Sequence, residues 1–174
     1  MCTEPREARR RRPTGFAALA LLVSMLSLQT APFAAAAVAG PFDGLSGLWS
    51  GKGTVTYASG TKEPLRCRVQ YVQNDEDNLQ QALRCAADSY KFEINAYFDH
   101  VDGAITGIWS ERTQDVHGTL SGKVKGGRID GNLQGPGFVA QLVVTTRGDR
   151  QQVTIEAELE EIRAVAIEVR KTPR

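Results

Sequence analysis

From Ser46 onward the chain alternates apolar and polar side chains with a period of two, and this rhythm constrains the fold more than any other feature. Trp49, Gly51, Gly53, Val55 and Tyr57 alternate with Ser50, Lys52, Thr54 and Thr56. Tyr90, Phe92, Ile94, Ala96 and Phe98 alternate with Lys91, Glu93, Asn95 and Tyr97; Val116, Gly118, Leu120, Gly122 and Val124 alternate with His117, Thr119, Ser121 and Lys123. Gly127, Ile129, Gly131 and Leu133 alternate with Arg128, Asp130 and Asn132. Further strands fit residues 65–73, 79–86, 105–112, 138–147, 151–158 and 162–171. One apolar and one polar face per segment is the mark of antiparallel strands around a shared core.

Turn residues separate these segments: Ser59-Gly60, the polar loop Asn74 to Asn78, Asp88-Ser89, Asp102-Gly103, Gly126-Gly127, Gly135-Pro136-Gly137 and Gly148-Asp149. The spacing leaves no room for crossover helices, so the chain reads as all-β, an up-and-down meander of eight to ten strands. An open sheet of that size exposes two long edges, and closure into a small soluble barrel removes them. A two-layer β-sandwich is the alternative. The stretch from Ile155 to Val169 also places apolar residues on one helical face, and Ala157 to Glu161 favours helix. The alternation of Val165, Ile167 and Val169 with Ala166, Glu168 and Arg170 argues for a strand, and a last strand is needed to pair with the first.

Residues 1–39 have a different character. A head rich in arginine, from Arg6 to Arg12, precedes the apolar run Phe16 to Leu28 and small residues ending Ala37-Val38-Ala39. These are the three parts of a secretory signal peptide, and the apolar run of about 13 residues is shorter than the roughly 20 that a spanning helix requires. Cleavage after Ala39 leaves residues 40–174 as one exported domain, periplasmic or secreted, with two cysteines. Cys67 and Cys85 lie at equal distances from Glu76, the centre of the loop Asn74 to Asn78. A hairpin folded there sets Cys67 opposite Cys85, Val69 opposite Leu83 and Tyr71 opposite Gln81, so a structural disulfide is expected. The same register opposes Arg68 to Arg84 on the wet face, an unfavourable pair.

Leu45-Ser46-Gly47-Leu48-Trp49-Ser50 recurs as Ile105-Thr106-Gly107-Ile108-Trp109-Ser110, and glycines fall repeatedly on the inward face. Small barrels need such positions to coil tightly and to admit large neighbours such as Trp49 and Trp109. Gly47-Leu48-Trp49 resembles the G-x-W element of lipocalins, and its context resembles the opening strand of avidin-type barrels. The chain also resembles uncharacterised exported bacterial proteins with a calycin-type small β-barrel. The lipocalin resemblance implies a late basic residue packed over Trp49, with Arg170 as the candidate. It transfers no ligand-binding residues.

The net charge of +1 lacks the basic excess of a nucleic-acid binder, and the outward Lys52, Arg68, Lys91, Glu93, Lys123, Arg128 and Asp130 oppose membrane insertion. No catalytic constellation appears: His117 is outward, and Asp99-His100-Val101-Asp102 reads as a polar turn rather than a metal site. Neither a cofactor nor a metal is implied. Glu111, inward beside Trp109, is the strongest candidate for a buried polar role. The expected function is therefore a carrier or sensor for a small apolar or amphipathic ligand, lined by Trp49, Tyr57, Tyr71, Phe92, Trp109 and Glu111. The alternative is an envelope module with a filled core that contacts a protein or glycan through the loops Asn74–Asn78, Asp99–Gly103 and Gly135–Gly137.

Overall fold

The computed structural model describes residues 40–158 and 160–173. The expected leader lies outside the described residues. Ten strands follow in order: β1 (Gly47–Tyr57), β2 (Lys62–Gln73), β3 (Asn78–Ala86), β4 (Lys91–Val101), β5 (Ala104–Glu111), β6 (Val116–Lys125), β7 (Arg128–Gly135), β8 (Phe138–Arg147), β9 (Arg150–Ala157) and β10 (Ile162–Lys171). Each pairs antiparallel with its sequence neighbours, and β1 pairs with β10 to close the barrel. The closed barrel, not the sandwich, is the architecture. Residues 162–171 form a strand throughout, because their apolar faces are required by β1 on one side and β9 on the other.

Alternation sorts the side chains as the period demands. Trp49, Val55, Leu65, Val69, Leu83, Phe92, Ile105, Leu120, Ile167 and Val169 are buried within the barrel. Burial of apolar side chains stabilises by about 25 cal/mol per Å², so the inward face supplies the main driving force. One irregularity falls between Thr56 and Tyr57, where Ala164 and Ile162 are successive partners on β10. The extra residue keeps both Ile162 and Val165 against the core and bends the strand locally.

Two inward glycines show why the barrel needs them. A Cβ on Gly51 would lie 1.9 Å from the Glu168 carbonyl oxygen, and one on Gly118 would lie 1.9 Å from that of Gln134 and 2.7 Å from the Trp109 ring. Neighbouring strands are coiled so closely there that only hydrogen fits.

Cys67 and Cys85 are direct partners on β2 and β3, as are Val69 with Leu83 and Tyr71 with Gln81. The two cysteines are disulfide-bonded with Cα atoms 4.2 Å apart, and both are buried. The bond is consistent with an oxidising compartment. Cys67→Ser with Cys85→Ser should lower unfolding stability by about 3 kcal/mol, the loop-closure estimate for a separation of 18 residues. Equilibrium denaturation checks this; an unchanged midpoint would deny the bond a structural role.

Candidate functional site

The strand order puts the start of β1 and the end of β10 at one end of the barrel, together with the turns 74–77, 102–103, 126–127 and 148–149. The segment Gly40–Ser46 crosses this end. Its turn is closed by the Asp43 and Leu45 N–H groups, which donate to the carbonyls of Gly40 and Phe42. Phe42 has no exposed surface and meets the His100 ring edge-on at 6.5 Å between centroids. His100 is itself held in its turn: Nδ1 lies 2.8 Å from Asp77 Oδ1, and Nε2 accepts from the Gly103 N–H at 2.9 Å.

Trp49 belongs to this cap rather than to a ligand surface. Its indole N–H donates to the Leu45 carbonyl at 2.7 Å, its ring stands perpendicular to Tyr71, and it is almost wholly buried. The cation over it is Lys171, with Nζ 5.8 Å from the ring centroid and donating to the Gly44 carbonyl. Arg170, the residue suggested by resemblance, pairs with Ser50 and points outward, whereas Lys171 pairs with Trp49. Strand parity decides between the two neighbours, and it selects Lys171.

Beneath the cap the interior is hollow. A cavity of about 570 Å³ runs through the barrel, from the turns at Gly126, Gly127 and Gly148 to Tyr90, Phe138 and Ile162 at the opposite end. Of the sequence-nominated residues, Tyr71, Phe92, Trp109 and Glu111 line it, whereas Trp49 and Tyr57 do not. Tyr57 ends β1 at the rim, where its hydroxyl donates to Glu63 at 2.6 Å. Trp109 lies across Gly118, beside Phe138, with its indole N–H donating to the Thr119 carbonyl. Glu111 closes β5, and its carboxylate accepts from the N–H groups of Glu93, Thr113 and Gln114 and from the Thr113 hydroxyl. Burial pushes this carboxyl up, but the four donors outweigh that effect and hold it below the usual range. Glu111 therefore fastens the β5–β6 turn to β4 and is not an acid poised for chemistry.

The wall is otherwise almost wholly apolar, and its polar atoms gather at one level. The Tyr71 hydroxyl donates to Gln151 Oε1 at 2.6 Å, and Gln151 Nε2 donates to the Thr146 hydroxyl at 3.0 Å. Burial raises the Tyr71 phenol well above its ordinary value, and the bond to Gln151 opposes this, so it stays a neutral donor. Gln81, the cross-strand partner of Tyr71, also faces the cavity. Sequence reasoning passed over Gln81, Thr146 and Gln151, although each is a polar residue at an inward position. The charged residues among the described lining are Asp43 and Glu111, both acidic; no lysine, arginine or histidine lines the cavity.

No protein-family model matches the chain, and no curated protein does. Solved structures share the fold at low sequence identity. A crystal structure of Rv2717c from M. tuberculosis matches with a TM-score of 0.60 and 13% identity, over 74% of this chain and 93% of that one. The S-type phycobiliprotein lyase CPES from Guillardia theta matches with a TM-score of 0.55 and 8% identity, over 74% and 89%. A fatty-acid-binding protein from Echinococcus granulosus follows at 0.41 and 7%, over 74% and 97%. The likeness to the first two establishes a small β-barrel fold and transfers no chemistry.

The rim offers a pH-dependent test. The Tyr57 hydroxyl, then the Ser89 hydroxyl and N–H, donate to Glu63 and hold its carboxyl down at about 2 from an ordinary 4.5. A depressed carboxyl stabilises the fold fully above its unfolded value, and the contribution is lost as pH falls through the folded one. A side-chain NMR titration should therefore place the Glu63 midpoint near 2, with the Ser89 amide shift moving in step. A midpoint near 4.5 would show that the β3–β4 turn is not tied to β2.

Proposed function

We propose that the protein binds a small, neutral, amphipathic molecule inside the barrel and acts as its exported carrier or sensor. The observation that carries this reading is the hollow apolar interior of about 570 Å³, within the range of established small-molecule sites. A filled core, on which the envelope-module alternative depended, is not what the interior presents. Transfer of an apolar ligand from water into such a wall is driven by the area it removes from solvent. Tyr71, Gln81, Thr146 and Gln151 supply one polar level that fixes orientation through an alcohol, carbonyl or amide group.

Charge narrows the class further. A carboxylate-headed lipid would enter a cavity whose charged lining is acidic, and it would find no cation to offset its desolvation. Neutral ligands avoid that penalty. Export itself rests on the leader-like residues 1–39 and on a disulfide suited to an oxidising compartment.

Native mass spectrometry of protein purified from the periplasm should show a retained neutral small molecule. In vitro, the neutral dye Nile red should bind and change Trp109 fluorescence. A dansylated fatty acid with a free carboxylate should bind at least ~10-fold more weakly, a difference of about 1.4 kcal/mol. Ala140→Trp, which adds bulk to the cavity wall, should abolish dye binding while leaving the β-sheet circular dichroism intact. Absence of dye binding to the wild-type protein, or undiminished binding to the filled variant, would overturn the reading.

A further inference from the structure

The outer face carries an arrangement that the barrel does not need. Cross-strand partners trace one continuous row: Arg147 opposes Arg150, Arg150 opposes Arg170, Arg170 opposes Ser50, Ser50 opposes Arg68, and Arg68 opposes Arg84. Five arginines thus lie side by side across β8, β9, β10, β1, β2 and β3, interrupted by one serine. Residues directly opposite in a ladder stand about 5 Å apart, where like charges repel and destabilise the sheet. All five are exposed. Lys52 and Arg66, themselves cross-strand partners, flank the row one step along the strands.

Nearby acids do not neutralise it. Glu93 terminates the row beside Arg84, at 3.6 Å, and Asp149 occupies the turn between Arg147 and Arg150. Glu168 opposes Lys52 in the adjoining row. Among the described residues no ion pair engages Arg68, Arg147, Arg150 or Arg170. The opposite wall differs. There the outer row Gln80, Tyr97, Ile108, Thr119, Gln134 and Val139 is uncharged throughout. The outer face therefore carries one strongly basic row and one uncharged row, although residues 40–174 hold 16 Lys and Arg against 18 Asp and Glu.

We propose that the arginine row is a binding site for a linear anionic polysaccharide, one bearing carboxylate or sulfate groups at regular intervals. A planar guanidinium presents a fork that matches such groups in bidentate fashion. Strand tilt carries the row obliquely, from Arg147 beside the capped end to Arg84 near the opposite end. It spans six of the ten strands of a convex wall, a path that a flexible chain can follow and a flat lipid surface cannot. No aromatic side chain faces outward on these six strands to stack bases, as single-stranded nucleic-acid sites require. Repulsion within the row is relieved when anions bind, so a surface that costs stability in the free protein becomes an asset in the complex.

Calorimetry with an alginate oligosaccharide tests the proposal. The wild-type protein should bind it at low salt and weaken steeply as salt is raised. Arg68→Thr with Arg170→Thr should bind about tenfold more weakly, while its thermal midpoint at low salt stays level or rises. Lys123→Gln with Lys125→Gln, on β6, should bind like wild type. Undetectable alginate binding by the wild-type protein would overturn the proposal, as would equal affinity in the double arginine variant. Tighter binding of a single-stranded oligothymidylate of equal charge, or of anionic phospholipid vesicles, would do so in favour of that other partner. Nile red binding, measured in parallel, is independent of the outer face, so failure here leaves the interior reading standing.

Discussion

Antiparallel pairing of β1 with β10 is the constraint on which the rest depends. Nine hairpin connections build a meander, but a meander alone leaves two unpaired edges and an inward face without an opposite wall. Pairing of Trp49 through Tyr57 with Lys171 through Ile162 removes both edges at once. It also turns one side of every strand toward a common axis. The tight coiling this demands is permitted by Gly51, Gly118 and Gly122, where neighbouring backbone occupies the space a side chain would take.

Closure with ten strands also produces the void. A barrel's width grows with strand number, and inward glycines remove side-chain volume that would otherwise fill it. Phe42, Leu45 and Trp49 pack one end, where Lys171 ties the segment Gly40–Ser46 to the last strand. Beyond them the aliphatic wall lacks the bulk to meet across the axis, and the cavity follows. Among its few polar groups, the Tyr71 hydroxyl, the Gln151 amide and the Thr146 hydroxyl bond to one another, as buried groups must in an apolar setting.

Much of this was legible in the chain. Period-two alternation located all ten strands, and the symmetric placement of Cys67 and Cys85 about Glu76 gave the correct hairpin register, including Tyr71 opposite Gln81. The cation over Trp49 was misassigned by resemblance to Arg170, although the inward series Val165, Ile167 and Val169 continues to Lys171. Trp49 and Tyr57 share the inward parity of cavity residues, but parity does not report depth along the axis. One is consumed by the cap and the other by Glu63 at the rim. The arginine row was invisible for a related reason. Its members are scattered from Ser50 to Arg170 in sequence, and only the registers of six strands, the closing β1–β10 pair included, align them. The repulsive Arg68–Arg84 pair was its one local trace.

The claim that matters most is that the interior is an apolar void, and xenon probes it directly. Xenon enters apolar cavities and shifts the methyl resonances that surround them. Under xenon pressure the methyl groups of Leu120, Leu142, Val144 and Ile155, on three different strands around the cavity, should shift together and saturate. Methyls on the outer face, such as Leu48 and Val139, should stay still. Silent interior methyls, or shifts confined to the outside, would mean that the barrel is filled and the account of its function wrong.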